Sequence, residues 1–112
     1  MPLPPSITDR LALPLVAAPV LKVSGPDLVV AACRNGVIGA FPTANAQDEE
    51  ELDTWLGRIM DAQRTPTPGG ALPAPCCPNL IIHRAPQALA RDVACLVRHR
   101  VELVITSVGS PQ

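Results

Sequence analysis

The chain has 112 residues and a formal net charge of -1, from 9 Lys and Arg against 10 Asp and Glu. Hydrophobic residues make up 47% and charged residues 17%, too apolar a mixture for a disordered segment. The charge balance lacks the basic footprint that nucleic-acid binding needs, and the length allows one domain at most.

Proline is abundant, 14 residues of 112, against a usual level of about 5%. Phe41 and Trp55 are the only aromatic side chains, so the core must be aliphatic. The apolar stretch from Leu11 to Leu21 contains Pro14 and Pro19 and is too short for a spanning helix, which needs about 20 apolar residues. No basic segment leads into it as in a signal peptide. The expectation is a chain with no membrane partner, located in the cytoplasm. Cys33, Cys76, Cys77 and Cys95 are too few for a disulfide scaffold and include no C-x-x-C pair.

In chain order, residues 1–14 read as an extended lead-in. Leu15 to Ala18 is a short apolar run without polar alternation, as in a strand buried on both faces of a parallel sheet. Ser24-Gly25-Pro26-Asp27 starts a helix: Ser or Gly caps it, Pro occupies the first turn and Asp complements the dipole. Leu28, Ala31 and Ala32 are its expected apolar stripe, and Asn35-Gly36 stops it. Val37 to Phe41 is a second buried strand. A second helix follows, with Asn45 as cap, acidic residues 48–51 in its first turns, and Leu52, Trp55, Leu56 and Ile59 on one face.

Residues 63–78 form a long connector rich in Pro and Gly. Asn79 to Ile82 is a third strand. A third helix begins near Gln87, with Leu89, Val93, Leu96 and Val97 on one face. Leu103 to Thr106 is a fourth strand, and residues 107–112 are loop. Strict alternation of strand and helix implies right-handed crossovers and a parallel sheet, whose ligands bind at the C-terminal strand ends. Neither G-x-G-x-x-G after the first strand nor G-x-x-x-x-G-K-[ST] occurs, which counts against the usual nucleotide-binding open sheets.

Isolated side chains offer little chemistry. His83 lies just past a strand end and is a candidate for the active face, as is Ser107. The terminal Ser110, like Ser107, has no G-x-S-x-G elbow. Cys76-Cys77 lacks the ligand spacing of a zinc site, so no metal is expected. Cys33 and Cys95 read as small buried hydrophobes, and His99 as a helix-end residue favoured by the dipole.

The strand ends carry a resemblance. Leu13-Pro14-Leu15-Val16-Ala17-Ala18-Pro19-Val20, Val23-Ser24-Gly25-Pro26-Asp27-Leu28 and Gly36-Val37-Ile38-Gly39-Ala40-Phe41-Pro42 resemble the opening of nitronate monooxygenases, also called 2-nitropropane dioxygenases. Asn79-Leu80-Ile81-Ile82-His83-Arg84 and Val101 to Ser107 are similar to that family's third and fourth strands, so the likeness runs through residues 11–109.

The resemblance implies an α/β fold, a partial TIM-type barrel of about four parallel strands and three helices. Residues 1–112 would be the N-terminal part of an FMN-binding eight-unit barrel, with 63–78 as a connector within it. It implies an FMN-dependent oxidoreductase, a flavoprotein that oxidises alkyl nitronates with oxygen. An FMN-dependent enoyl-acyl-carrier-protein reductase is an alternative on the same fold. Ala18, Pro19 and Val20 match the family's flavin-side Ala-Pro-Met, with Val20 in place of Met. Asn79 matches the family's flavin-contacting Asn. The family's catalytic His follows a later Gly-Gly pair, whereas Gly69-Gly70 here precedes Ala71, so no catalytic residue is assigned in this chain. The chain is accordingly expected to be truncated and inactive alone, a non-catalytic fragment or one part of a split barrel with a complementary half as partner.

Overall fold

The computed structural model describes residues 3–107; the expected terminal loop, with Ser110, lies outside the described residues apart from Ser107. The elements are α1 (Pro5–Thr8), β1 (Val16–Ala17), α2 (Pro26–Arg34), β2 (Ile38–Pro42), a 3-10 turn (Thr43–Asn45), α3 (Glu49–Gln63), β3 (Cys76–Ile81), α4 (Pro86–Arg98) and β4 (Ile105–Ser107). The strands are all parallel, in the order β1-β2-β3-β4. They form a curled half-barrel, an α/β partial barrel as the alternation requires. Its neighbours in space are its neighbours in sequence, as successive right-handed crossovers dictate.

Several local expectations are corrected. The lead-in is not wholly extended, because Pro5 opens the single turn α1. Asn45 does not cap α3. Asp48 does, its carboxylate accepting from the Glu51 N–H at 2.8 Å, while Glu51 reaches back to the Gln47 N–H at 2.7 Å.

The third strand starts at Cys76, so the connector ends before Pro78. Pro78 lies opposite Phe41 in the β2 register, one residue before β4 begins pairing at Asn79. Its missing N–H therefore removes nothing from the β3–β4 ladder.

The core lies between the sheet and α2, α3 and α4, where Val29, Cys33, Phe41, Leu52, Leu56, Ile59, Cys76, Leu80, Cys95 and Leu96 pack together. The ring of Trp55 meets Phe41 edge-on, with centroids 6.0 Å apart. The α3 stripe is the one expected from its spacing.

The α2 stripe is not. Val29 and Cys33 are buried, whereas Leu28 is exposed. Gly39 accounts for the difference: a Cβ there would stand 2.7 Å from the Val29 carbonyl oxygen and 3.2 Å from Cys33 Sγ, so α2 approaches the strand backbone along this line. On α4, Leu96 is buried as expected, but Cys95 and Asp92 join it while Val93 and Val97 face outward.

On the opposite, concave face, Ile38, Ala40 and Cys77 form a smaller cluster with Leu11, Leu103 and Ile105. The lead-in is fastened beneath it. Arg10 bonds both Glu102 carboxylate oxygens at 2.9 Å and the Pro73 carbonyl at 2.9 Å. Beside it the Ala12 N–H donates to the Gly36 carbonyl. Gly36 has φ +80, and a Cβ there would meet the Ala12 Cβ at 2.5 Å. Glycine is required at this crossing both by conformation and by space.

Candidate functional site

The C-terminal ends of the four strands form one rim, and each contributes a different kind of group. After β1 the chain turns through Ala18-Pro19-Val20, where Ala18 and Val20 are exposed and Pro19 is half-buried. This loop is held from within. The buried Ser24 hydroxyl accepts from the Val20 N–H at 2.8 Å and donates to the Ala18 carbonyl at 3.4 Å.

Asn45, in the turn after β2, donates to the Val20 and Ser24 carbonyls at 3.1 and 2.8 Å. Its own oxygen accepts from the Lys22 N–H at 2.7 Å. Lys22 adopts φ 64, a left-handed conformation that a non-glycine residue holds only where its surroundings fix it. Ser24 and Asn45 together fix the shape of a loop whose outer surface stays open.

Asn79 stands on β3, two residues beyond Cys77 and so on the same concave face. It is 5% exposed, and its amide nitrogen donates to the Ile105 carbonyl at 3.1 Å and to the Ser107 hydroxyl at 2.9 Å. Among the described residues its carboxamide oxygen accepts no hydrogen bond. Asn79 thus has its donors committed to β4 and, among the described residues, its acceptor without a partner. The structure brings Asn79 and Ser107 into direct contact. The Ala18–Val20 loop lies two strands away, about 10 Å at the usual strand spacing.

His83 is exposed and, among the described residues, makes no side-chain hydrogen bond; its neighbour is the organised one. Arg84 donates to Asp92 Oδ2 at 2.7 Å, and the Thr43 hydroxyl donates to the same oxygen at 2.7 Å. Asp92 and Thr43 are 3% and 2% exposed, so this carboxylate is a buried charge matched by the Arg84 cation and the Thr43 hydroxyl, with Arg91 Nε 3.9 Å from its other oxygen. It pins the β2 and β3 ends to α4.

The sequence reading gave Thr43 and Asp92 no role, and gave Ser24 and Asn45 only helix-capping ones. Thr43 and Asn45 carried a signal, standing directly after a strand end. Asp92, in mid-helix among apolar residues, carried none beyond its misfit with the stripe.

All four thiols are free and buried. Cys76 and Cys77 face opposite sides of the sheet, as successive strand residues must, and do not form a metal pair with His83. Burial pushes the Cys76 thiol up to about 12 and the Cys77 thiol to about 11, and neighbouring cysteines add to both shifts. These are inert thiols.

Clefts of about 320 Å³ near Arg10, Gly36 and Pro73, 360 Å³ near Gly57 and His99, and 440 Å³ near Gln47 and Trp55 lie elsewhere. None is lined by Ala18, Pro19, Val20, Asn79 or Ser107. No helix among the described residues is long and apolar enough to cross a membrane. Compared with known proteins, the chain matches no protein-family model and no curated protein.

Proposed function

We propose that this chain is the flavin-side half of an FMN-dependent oxidoreductase barrel of the nitronate monooxygenase type, acting on a small nitro or nitronate substrate with oxygen in a cytoplasmic setting. The observation that carries the reading is Asn79: a buried carboxamide on the concave face at a strand's C-terminal end, whose oxygen accepts no hydrogen bond among the described residues. The motif resemblance at residues 11–109 supports it, and so does the half-barrel on which the matching residues sit.

The residues present fit one edge of a flavin ring. Asn79 would offer its oxygen to a ring N–H, with Ser107 holding the amide in orientation. Ala18, Pro19 and Val20 would supply a backbone ledge and an apolar contact, held in shape by Ser24 and Asn45. FMN, when bound, supplies the redox chemistry. The chain's own contribution is to bind the ring edge, to orient it and to keep that side apolar. Phosphate sites of such barrels lie after strands seven and eight, which belong to the other half, as does the matching catalytic His. An FMN-dependent enoyl-acyl-carrier-protein reductase would use the same residues and differ by requiring NAD(P)H.

A second reading is favoured by the exposed aliphatic side chains along the flanks, including Leu13, Leu15 and Val97 at 52%, 54% and 71%. On that reading the chain is a non-catalytic fragment that binds a complementary barrel half. Titration of FMN with the purified chain, followed by quenching of flavin fluorescence, separates the two. The flavin reading expects weak, saturable quenching that Asn79→Ala removes. No quenching at any concentration, or equal quenching by the variant, rejects Asn79 as a flavin ligand.

A further inference from the structure

Away from the rim, three side chains of metal-ligating type converge between α3 and α4. One ligand atom from each of Asp53, Cys95 and His99 lies within 4.8 Å of the others. Cys95 and His99 are four residues apart along α4 and its C-terminal cap, so they share one face, and Asp53 comes from the facing helix α3. We propose that this triad is a zinc site, with Asp53, Cys95 and His99 as three protein ligands and water as the fourth.

The chemistry of the donors is the first support. Thiolate, imidazole and carboxylate are the ligand types zinc takes, at about 2.3, 2.0–2.1 and 2.0–2.2 Å, in tetrahedral geometry. That geometry sets neighbouring ligand atoms about 3.3–3.7 Å apart. His99 Nε2 and Asp53 Oδ1 are now 2.7 Å apart and would open by about half an ångström, while the widest separation, no more than 4.8 Å, would close by at most about one. Both are side-chain adjustments.

The second support is that a cation already sits against two of the three donors. Arg98 Nη2 bonds Asp53 Oδ1 at 3.0 Å and lies 3.5 Å from Cys95 Sγ. Its side chain is 51% exposed, and an exposed ion pair of this kind is weak and easily exchanged. Zinc would displace it outward to solvent.

Binding balances without redox change. The Cys95 S–H proton leaves to solvent, and the thiolate and Asp53 carboxylate neutralise the dication. Cys95 itself is fully buried, but the site opens outward through Asp53 and His99, whose side chains are 48% and 18% exposed. The cysteine therefore forms the floor of the site and the other two ligands its mouth.

Cobalt titrated into the purified chain provides the test, because a cysteine ligand gives a thiolate-to-cobalt charge-transfer band in the near ultraviolet. The expected result is a saturating band at one equivalent that zinc bleaches by displacement. Cys95→Ser removes the band, whereas Cys33→Ser, Cys76→Ser and Cys77→Ser retain it. Asp53→Asn and His99→Gln weaken binding by about tenfold or more, and Arg98→Ala, which removes the competing cation, tightens it. Circular dichroism checks that each variant keeps its helices. Should Cys95→Ser unfold, the two variants at the mouth of the site decide the question. No band in the parent chain, a band that survives Cys95→Ser, unchanged binding in both mouth variants, or an Arg98→Ala affinity no higher than the parent overturns the proposal.

Discussion

The helix-covered face of the sheet and the two flanks of the half-barrel use the same aliphatic vocabulary to opposite effect. Under α2, α3 and α4, Val29, Phe41, Leu52, Leu56 and Ile59 are at most 1% exposed. Along the β1 flank Leu13, Leu15, Val16, Leu21, Val23 and Leu28 are roughly half exposed or more. On the β4 side Val104 and the α4 residues Val93 and Val97 are exposed as well. Scattered apolar side chains on a surface need no explanation, but contiguous ones mark an interaction face. A closed barrel has no edges, and a strand at an open edge presents unpaired backbone groups as well as side chains. Stability is therefore expected to reside in one region and association in the other.

The largest effect expected from breaking that contrast is in the core. Phe41→Ala should destabilise the chain by about 3–5 kcal/mol and Leu56→Ala by about 2–5 kcal/mol, a large share of the roughly 5–15 kcal/mol typical of a domain. Urea unfolding followed by circular dichroism measures both, and a loss below 1 kcal/mol in each would mean the helices are not closed on the sheet. Gly39→Ala comes next. Its methyl meets backbone at Val29, which cannot swing aside, and the expected loss is about 1–3 kcal/mol.

Alkaline pH probes the buried thiols of the same region. In the unfolded chain a thiol ionises near its ordinary value of 9.0, whereas Cys76 in the fold is held up to about 12 and Cys77 to about 11 by burial. A raised folded-state value stabilises fully below 9 and loses that contribution as pH rises towards 11–12. Stability should therefore fall between pH 9 and 11, and Cys76→Ala should flatten that fall. An unaltered slope in the variant would place the alkaline loss elsewhere. The smallest effect is on the flanks: Leu15→Lys and Val97→Lys should change stability by no more than about 0.5 kcal/mol while raising solubility, read as the concentration at which light scattering begins.

How far the sequence disclosed this arrangement varied with what governed each element. The parallel order followed from alternating apolar runs and capped helices. The α3 face followed from spacing, because its stripe and its docking surface coincide. The α2 face did not, because a glycine on the neighbouring strand, not the bulk of Leu28, decides which side approaches. The start of β3 was hidden by prolines that read as connector, yet Pro78 sits where β4 has not begun to pair.

At the rim, Asn79 was visible through its motif, but Ser24, Asn45, Thr43 and Asp92 act through contacts made across 4 to 49 positions, which periodicity does not report. Asp53, Cys95 and His99 were individually unremarkable, and only the docking of α3 on α4 unites them.

The most direct measurement is backbone and side-chain amide chemical-shift mapping of the chain on addition of FMN. The expected perturbations gather at Ala18, Val20, the Asn79 side-chain amide and Ser107, leaving α3 and α4 unmoved. Shifts confined to the cleft around Arg10 and Pro73, or no shifts at all, would contradict a flavin-side rim on this half-barrel.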